Sequence, residues 1–200
     1  MANMITLART LLAFVVVAML HVRTTGIYLT AAVLTLAVIW MDALDGYVAR
    51  RRQECTKFGA VADILGDRVV EMTYWIIFAA LGWVPAWVAI AIAARGIVVD
   101  GMRALALERG LTAFGSTSMM RTRLGALLVS SRTSRAVYGV GKALAFSLMI
   151  LLFTPALGAL GLPAPLGAVL RTLAYASVYA TVLLCLVRGT PVLMEARRLV

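Results

Sequence analysis

Apolar runs close to the length that crosses a lipid bilayer recur along this chain and leave only short breaks between them. A hydrocarbon core takes about 20 apolar residues as a helix. Within it every backbone polar group must be satisfied by the segment itself, because no water is there to bond it. On that basis helices are expected over 4–22, 25–51, 58–81, 84–109, 135–157 and 166–187, punctuated by basic residues and by Gly and Pro. The hydrophobic content of 62% and mean hydropathy of +0.95 exceed what soluble domains carry. The expectation is an all-α integral membrane protein, a six-transmembrane-helix bundle forming a single domain over residues 1–200. The first run lacks a basic leader and a clear small-residue cleavage site, so it is read as a retained span.

The formal net charge is +10. In a soluble protein that surplus would suggest nucleic acid. Here the basic residues gather at helix ends, no nucleic-acid motif accompanies them, and anionic headgroups and phosphorylated substrates are the expected partners. Arg9, Arg50, Arg51, Arg52, Lys57, Arg109, Arg121, Arg123, Arg132, Arg135, Arg188, Arg197 and Arg198 collect on one side, against Arg23 and Arg171 on the other. The positive-inside rule then places both termini in the cytoplasm. Trp83 and Trp87 suit an aromatic anchor at the opposite interface, with simple lipid-facing packing as the equal alternative, and solitary His21 an interfacial place there. Cys55 and Cys185 form no ligand pair or disulfide framework. The polar connection 110–134 should lie along the membrane surface, with a flexible turn at 115–118 and a short interfacial helix at 124–129. The tail 191–200 reads as a separate surface segment.

Nine acidic residues serve the whole chain, and Asp42, Asp45, Asp63 and Asp67 fall within 26 consecutive positions. Their spacing is helical throughout. Asp42, Asp45 and Ala49 stand at i, i+3 and i+7 on one helix, and Gly59, Asp63 and Asp67 at i, i+4 and i+8 on the next, so each set shares a face. Two such faces brought together would converge four carboxylates, which cannot all stay ionised in a low-dielectric site without cations. Oxygen-only ligation favours Mg²⁺ or Mn²⁺. The structural alternative is an ion-pair network with Arg50, Arg68 and Lys57. Acids at a membrane edge are more often functional than structural. An ion-coupled transporter would also use such carboxylates, although the chain shows no repeated halves and its acids gather at one surface.

The pattern D42xxD45G46xxA49R50, eight residues, G59xxxD63xxxD67 resembles the signature of the CDP-alcohol phosphotransferases at every fixed position. The resemblance implies transfer of a substituted phosphate from a CDP-linked donor to an alcohol, with release of CMP, at a site facing the cytoplasm. It implies that Asp42, Asp45, Asp63 and Asp67 hold two divalent ions against the donor pyrophosphate, and that Asp67 is also general base for the acceptor hydroxyl. Gly46, Ala49 and Gly59 would let the nucleotide approach the helix backbones, and Arg50 would pair with a donor phosphate. Tight helix packing and an interfacial charge are the plainer readings of these four. A homodimer is implied by the same resemblance.

Asn3, Thr6 and Arg9 follow N-x-x-T-x-x-R, similar to the opening of the phosphatidylglycerophosphate synthases within that family, with Ala2 where proline is usual. Asn3 and Thr6 are accordingly expected beside the donor. Arg95 and Arg103 keep an eight-residue separation also similar to that subgroup, with Gly96 where an acid often follows, and Gly141-Lys142 resembles its later glycine-lysine. Arg95, Arg103 and Lys142 are therefore candidates for an acceptor phosphate. Pairing of the arginines with Asp100, and snorkelling of Arg95 and Lys142, are the competing readings. The expected reaction joins CDP-diacylglycerol to glycerol 3-phosphate. Inositol phosphate or another alcohol is the alternative acceptor, although the lysine-alanine-arginine-acid run associated with inositol phosphate is missing. Glu71, one turn past Asp67, could orient Arg68.

Overall fold

The computed structural model describes residues 2–51, 57–108, 110, 120, 122, 125–155 and 164–197, with the backbone alone at 2, 3, 43–51, 57, 58, 60, 130, 132, 164 and 196. Among the described residues all regular structure is helical. Six long helices run Ala2–Met19 (α1), Thr25–Arg51 (α2), Lys57–Ala80 (α3), Ala86–Glu108 (α4), Arg132–Leu152 (α5) and Ala164–Ala196 (α6). A π-helical turn, Ala126–Ser130, leads into α5. It replaces part of the short interfacial helix expected at 124–129; Leu124 and the expected turn at 115–118 lie outside the described residues, as does Cys55.

Three stretches are long and apolar enough to cross a membrane: Thr25–Asp42, Thr133–Leu152 and Pro165–Glu195. Helix α1 contains a shorter apolar run, Met4–Met19. Helices α3 and α4 have comparable length but carry Asp63, Asp67, Arg68 and Glu71 on one and Arg95, Asp100 and Arg103 on the other. Arg68, Glu71 and Arg103 turn inward while large apolar side chains of both helices face out, with Leu65 58% and Ile97 68% exposed. An apolar exterior around a charged interior is the pattern of a helical membrane protein.

The helices close into a ring. Helix α1 packs on α2, α2 on α5, α5 on α6, α6 on α4, α4 on α3, and α3 back on α1. At one end the middle is filled by rings: Tyr74 stacks on Phe146 at 4.6 Å, Trp75 meets Phe146 edge-on at 5.1 Å, and Trp83 stacks on Phe153 at 4.6 Å. The Tyr74 hydroxyl finds Thr35 at 3.0 Å, whereas Trp75 Nε1 is buried without a hydrogen-bond partner.

The turn from α3 to α4 places Trp83. Gly82 adopts φ +72°, a left-handed conformation open to glycine without penalty, and the backbone N–H of Trp83 donates to the carbonyl of Phe78 at 2.8 Å. The indole folds inward and is 6% exposed. The expectation of Trp83 as an interfacial anchor is thus corrected; Trp87 is half-exposed and stacks on Tyr179.

Helix α6 corrects a second expectation. It runs through Pro191 to Ala196 with no break before a separate tail. Pro191 cannot donate to the carbonyl of Val187, and the Thr190 hydroxyl donates to it instead at 2.9 Å. The continuation lets Val192 pack with Val99, Ala106, Met120 and Val129, and brings the Glu195 carboxylate to the backbone N–H of Thr122 at 3.1 Å.

Candidate functional site

Away from the aromatic end, α3 presents two ionic faces. Asp63 and Asp67 lie one turn apart; Arg68 stands about 100° round the helix from Asp67, and Glu71, a turn past Asp67, bonds to it. Helix α1 packs against the first face and α4 against the second.

On the first face, carboxylate oxygens of Asp42, Asp63 and Asp67 all lie within 4.8 Å of one another. Helix α1 stands against both α2 and α3, and its Arg9, only 2% exposed, reaches all three acids. The Arg9 guanidinium bonds Asp42, donates to Asp67 at 2.7 Å and approaches Asp63 at 3.6 Å. The close approach depends on Gly66: a Cβ there would sit 2.7 Å from the methyl of Thr6 and 3.4 Å from an Arg9 nitrogen. Thr6, buried, therefore lies at the α1–α3 contact beside the acids. Gly59 precedes Asp63 by one turn on the same helix. Asn3, Asp45, Gly46, Ala49 and Arg50 have helical backbone, and their side chains lie outside the described residues.

Among the described residues three carboxylates meet one guanidinium directly, with Lys142 at longer range, which leaves a surplus of negative charge in a half-buried site. Their oxygens are close enough to share a cation, and Arg9 already marks the point where positive charge is required. Hard oxygen donors suit a divalent ion.

On the second face, Arg68 donates from Nε to Asp100 at 2.6 Å and from Nη1 to Glu71 at 2.9 Å. Glu71, 2% exposed, also accepts from the Tyr138 hydroxyl. The ring of Tyr138 carries Lys142 Nζ at 5.1 Å and the Arg188 guanidinium at 5.0 Å from its centroid. Arg103 approaches Asp100 at 3.5 Å. Arg95 lies against the backbone of α6 at Gly189, where a Cβ would be 3.1 Å from its Nε. At Gly96 a Cβ would make ordinary contact with Arg68, 3.6 Å from its Cδ. Five cations, Arg68, Arg95, Arg103, Lys142 and Arg188, thus gather around two carboxylates, Glu71 and Asp100. The Nε atoms of Arg95 and Arg188 are buried without a hydrogen-bond partner. Burying that surplus is costly unless an anion joins it.

The expected pairing of Arg103 with Asp100 is present, and so is the contact of Glu71 with Arg68. Lys142 covers an aromatic face and lies within electrostatic reach of Asp67 and Glu71. The ion-pair alternative for the aspartates named Arg50, Arg68 and Lys57. Arg68 turns to α4 instead, and Arg9 takes the acids. Sequence reasoning counted Arg9 and Arg188 only as charges at the basic end. The single hint for Arg9 was its place in N-x-x-T-x-x-R, and for Arg188 there was none.

Comparison with known proteins adds to this geometry. The chain is 34% identical over 76 residues to the CDP-diacylglycerol--glycerol-3-phosphate 3-phosphatidyltransferase of Bacillus subtilis, a stretch covering 38% of this chain and 39% of that protein. It is 35% identical over 79 residues to the protein of the same name from Mycoplasma pneumoniae, covering 40% and 35% respectively. In both cases the chain matches well under half of the relative's own length. The family pattern described as CDP-alcohol phosphatidyltransferase matches residues 1–187. A match over that span, on a chain whose acids converge as described, shows that it belongs to the CDP-alcohol phosphatidyltransferase family.

Proposed function

We propose that this protein transfers a phosphatidyl group from CDP-diacylglycerol to glycerol 3-phosphate, giving phosphatidylglycerophosphate and CMP. The observation that carries the reading is the placement of a carboxylate cluster and a cation-rich cluster on adjacent faces of α3. One face suits a metal-bound pyrophosphate and the other a phosphorylated alcohol. The names of the two bacterial relatives support the choice of substrates.

Asp42, Asp45, Asp63 and Asp67 would hold two divalent ions, Mg²⁺ or Mn²⁺, which when bound neutralise pyrophosphate charge and polarise phosphorus. Gly46, Ala49 and Gly59 leave the helix backbones open to the nucleotide, Arg50 pairs with a donor phosphate, and Asn3 and Thr6 border the donor. Arg95, Arg103 and Lys142 grip the acceptor phosphate, joined by Arg188. The acceptor's primary hydroxyl oxygen bonds to the lipid-proximal phosphorus, the bond from that phosphorus to the CMP oxygen breaks, and the hydroxyl proton passes to a carboxylate oxygen of Asp67. Lys142, within electrostatic reach of Asp67, ties the acceptor grip to the base.

The same reading places all six helices across the bilayer as a single domain over 1–200, with the donor acyl chains remaining in lipid. On this reading both termini and the site face the cytoplasm at the plasma (inner) membrane, an orientation the basic helix ends support. A homodimer is part of the proposal by family membership alone.

The test is an acceptor panel. Purified full-length protein with CDP-diacylglycerol and Mg²⁺ or Mn²⁺ is offered glycerol 3-phosphate, inositol phosphate, inositol or serine, and CMP and the lipid product are identified. CMP and phosphatidylglycerophosphate should form with glycerol 3-phosphate, cease with EDTA and return with metal. A lipid product from another acceptor alone would overturn the substrate. Metal-dependent flux across proteoliposomes without CMP would make it a transporter.

A further inference from the structure

We propose that Arg9 is a resident counter-ion of the carboxylate cluster, which holds the acids together before a divalent ion binds and competes with that ion for their oxygens. The inference rests on the metal-binding reading of the site and adds a residue that sets its affinity.

Three facts carry it. Arg9 is almost wholly buried, and its guanidinium addresses Asp42, Asp67 and Asp63, which belong to two different helices. Those are the same carboxylates whose oxygens lie within 4.8 Å of one another, so an ion shared by them must share them with the guanidinium. The approach of α1 to α3 at Gly66 leaves no space for even a methyl group, so Arg9 is held against the acids by packing as well as by charge. A guanidinium cannot lose its proton in a protein, so it cannot yield by neutralisation. It can only release oxygens by turning aside. Metal affinity is thereby lowered by the contacts that must be surrendered, and the metal-free cluster is spared the repulsion of three bare carboxylates.

The test is a Mn²⁺ titration of the full-length protein in detergent, with free Mn²⁺ read by its EPR signal and thermal unfolding followed in parallel. Arg9→Gln, which removes the charge and keeps a polar side chain, should tighten Mn²⁺ binding about tenfold. It should also lower the metal-free melting temperature, with a larger Mn²⁺-induced rise than in the unaltered protein. Arg9→Lys, which keeps the charge but cannot fork across three acids, should tighten binding about two- to threefold. Recovery of folded Arg9→Gln only with Mn²⁺ present would support the proposal; if that variant is not recovered at all, Arg9→Lys decides by the same criterion. Unchanged or weaker Mn²⁺ binding in the variants, with normal binding by the unaltered protein, overturns the counter-ion role and leaves the metal site standing. Failure of the unaltered protein to bind Mn²⁺ overturns both.

Discussion

Asp67 and Arg68 are neighbours in sequence yet belong to clusters of opposite character. The first cluster sets three carboxylates against one buried arginine; the second sets five cations against Glu71 and Asp100. A rotation of about 100° between consecutive residues of α3 is all that separates them. One helix can therefore offer a cation site to one partner and an anion site to another within a single turn. That adjacency supports the proposed transfer, in which a CDP-linked donor and a phosphorylated alcohol must meet.

The contrast can be broken most severely at the acids. Asp63→Asn or Asp67→Asn should reduce CMP release roughly a thousandfold, about 4 kcal/mol of lost transition-state stabilisation. Activity retained by either variant would remove the carboxylate cluster from the chemistry. Next is a control on α5, in the aromatic core packed against α3, where packing rather than charge prevails. Phe146→Ala deletes a fully buried ring stacked on Tyr74 and should cost about 3–5 kcal/mol of stability, seen as a lower melting temperature. In the fraction that remains folded, KM for both substrates should be unchanged.

The cation-rich face should answer differently from the acidic one. Arg95→Gln should raise KM for the phosphorylated acceptor about 30-fold, near 2 kcal/mol for a charged hydrogen bond, and leave KM for CDP-diacylglycerol alone. Equal effects on both substrates would merge the two faces into one site. The smallest change is expected from Tyr138→Phe, which keeps the ring beneath Lys142 and Arg188 but loses the bond to Glu71. About 1 kcal/mol, or roughly a fivefold rise in acceptor KM, is expected. Substitution by leucine, which removes the ring face as well, should exceed it.

Helix content and the carboxylate-bearing face were legible because both are local. Apolar run length gave the helices, and i, i+4 spacing put Asp63 and Asp67 together whatever the rest of the chain did. What the spacing could not reveal was the partner of those acids. Arg9 comes from another helix, and its burial depends on a glycine-sized gap at Gly66, which sequence periodicity does not encode. Arg188 escaped for the same reason, since its place over Tyr138 depends on how α5 meets α6. Trp83 was misread because hydropathy cannot tell an indole facing lipid from one folded inward by the turn at Gly82. The continuation of α6 was hidden by Pro191, whose usual effect is to stop a helix, and which here is accommodated by Thr190.

The ion pairs of α1 also bear on the order in which the chain is made. Arg9 precedes Asp42 by 33 residues and Asp67 by 58, so the guanidinium leaves the ribosome before any of the acids it will meet. When the aspartate-bearing helix ends arrive at the membrane, their neutralising partner has already been delivered. Arg9, Asp42, Asp63 and Asp67 all belong to the first three helices, so this pairing can form before the fifth helix, which brings Lys142 within electrostatic reach of Asp67, has been translated.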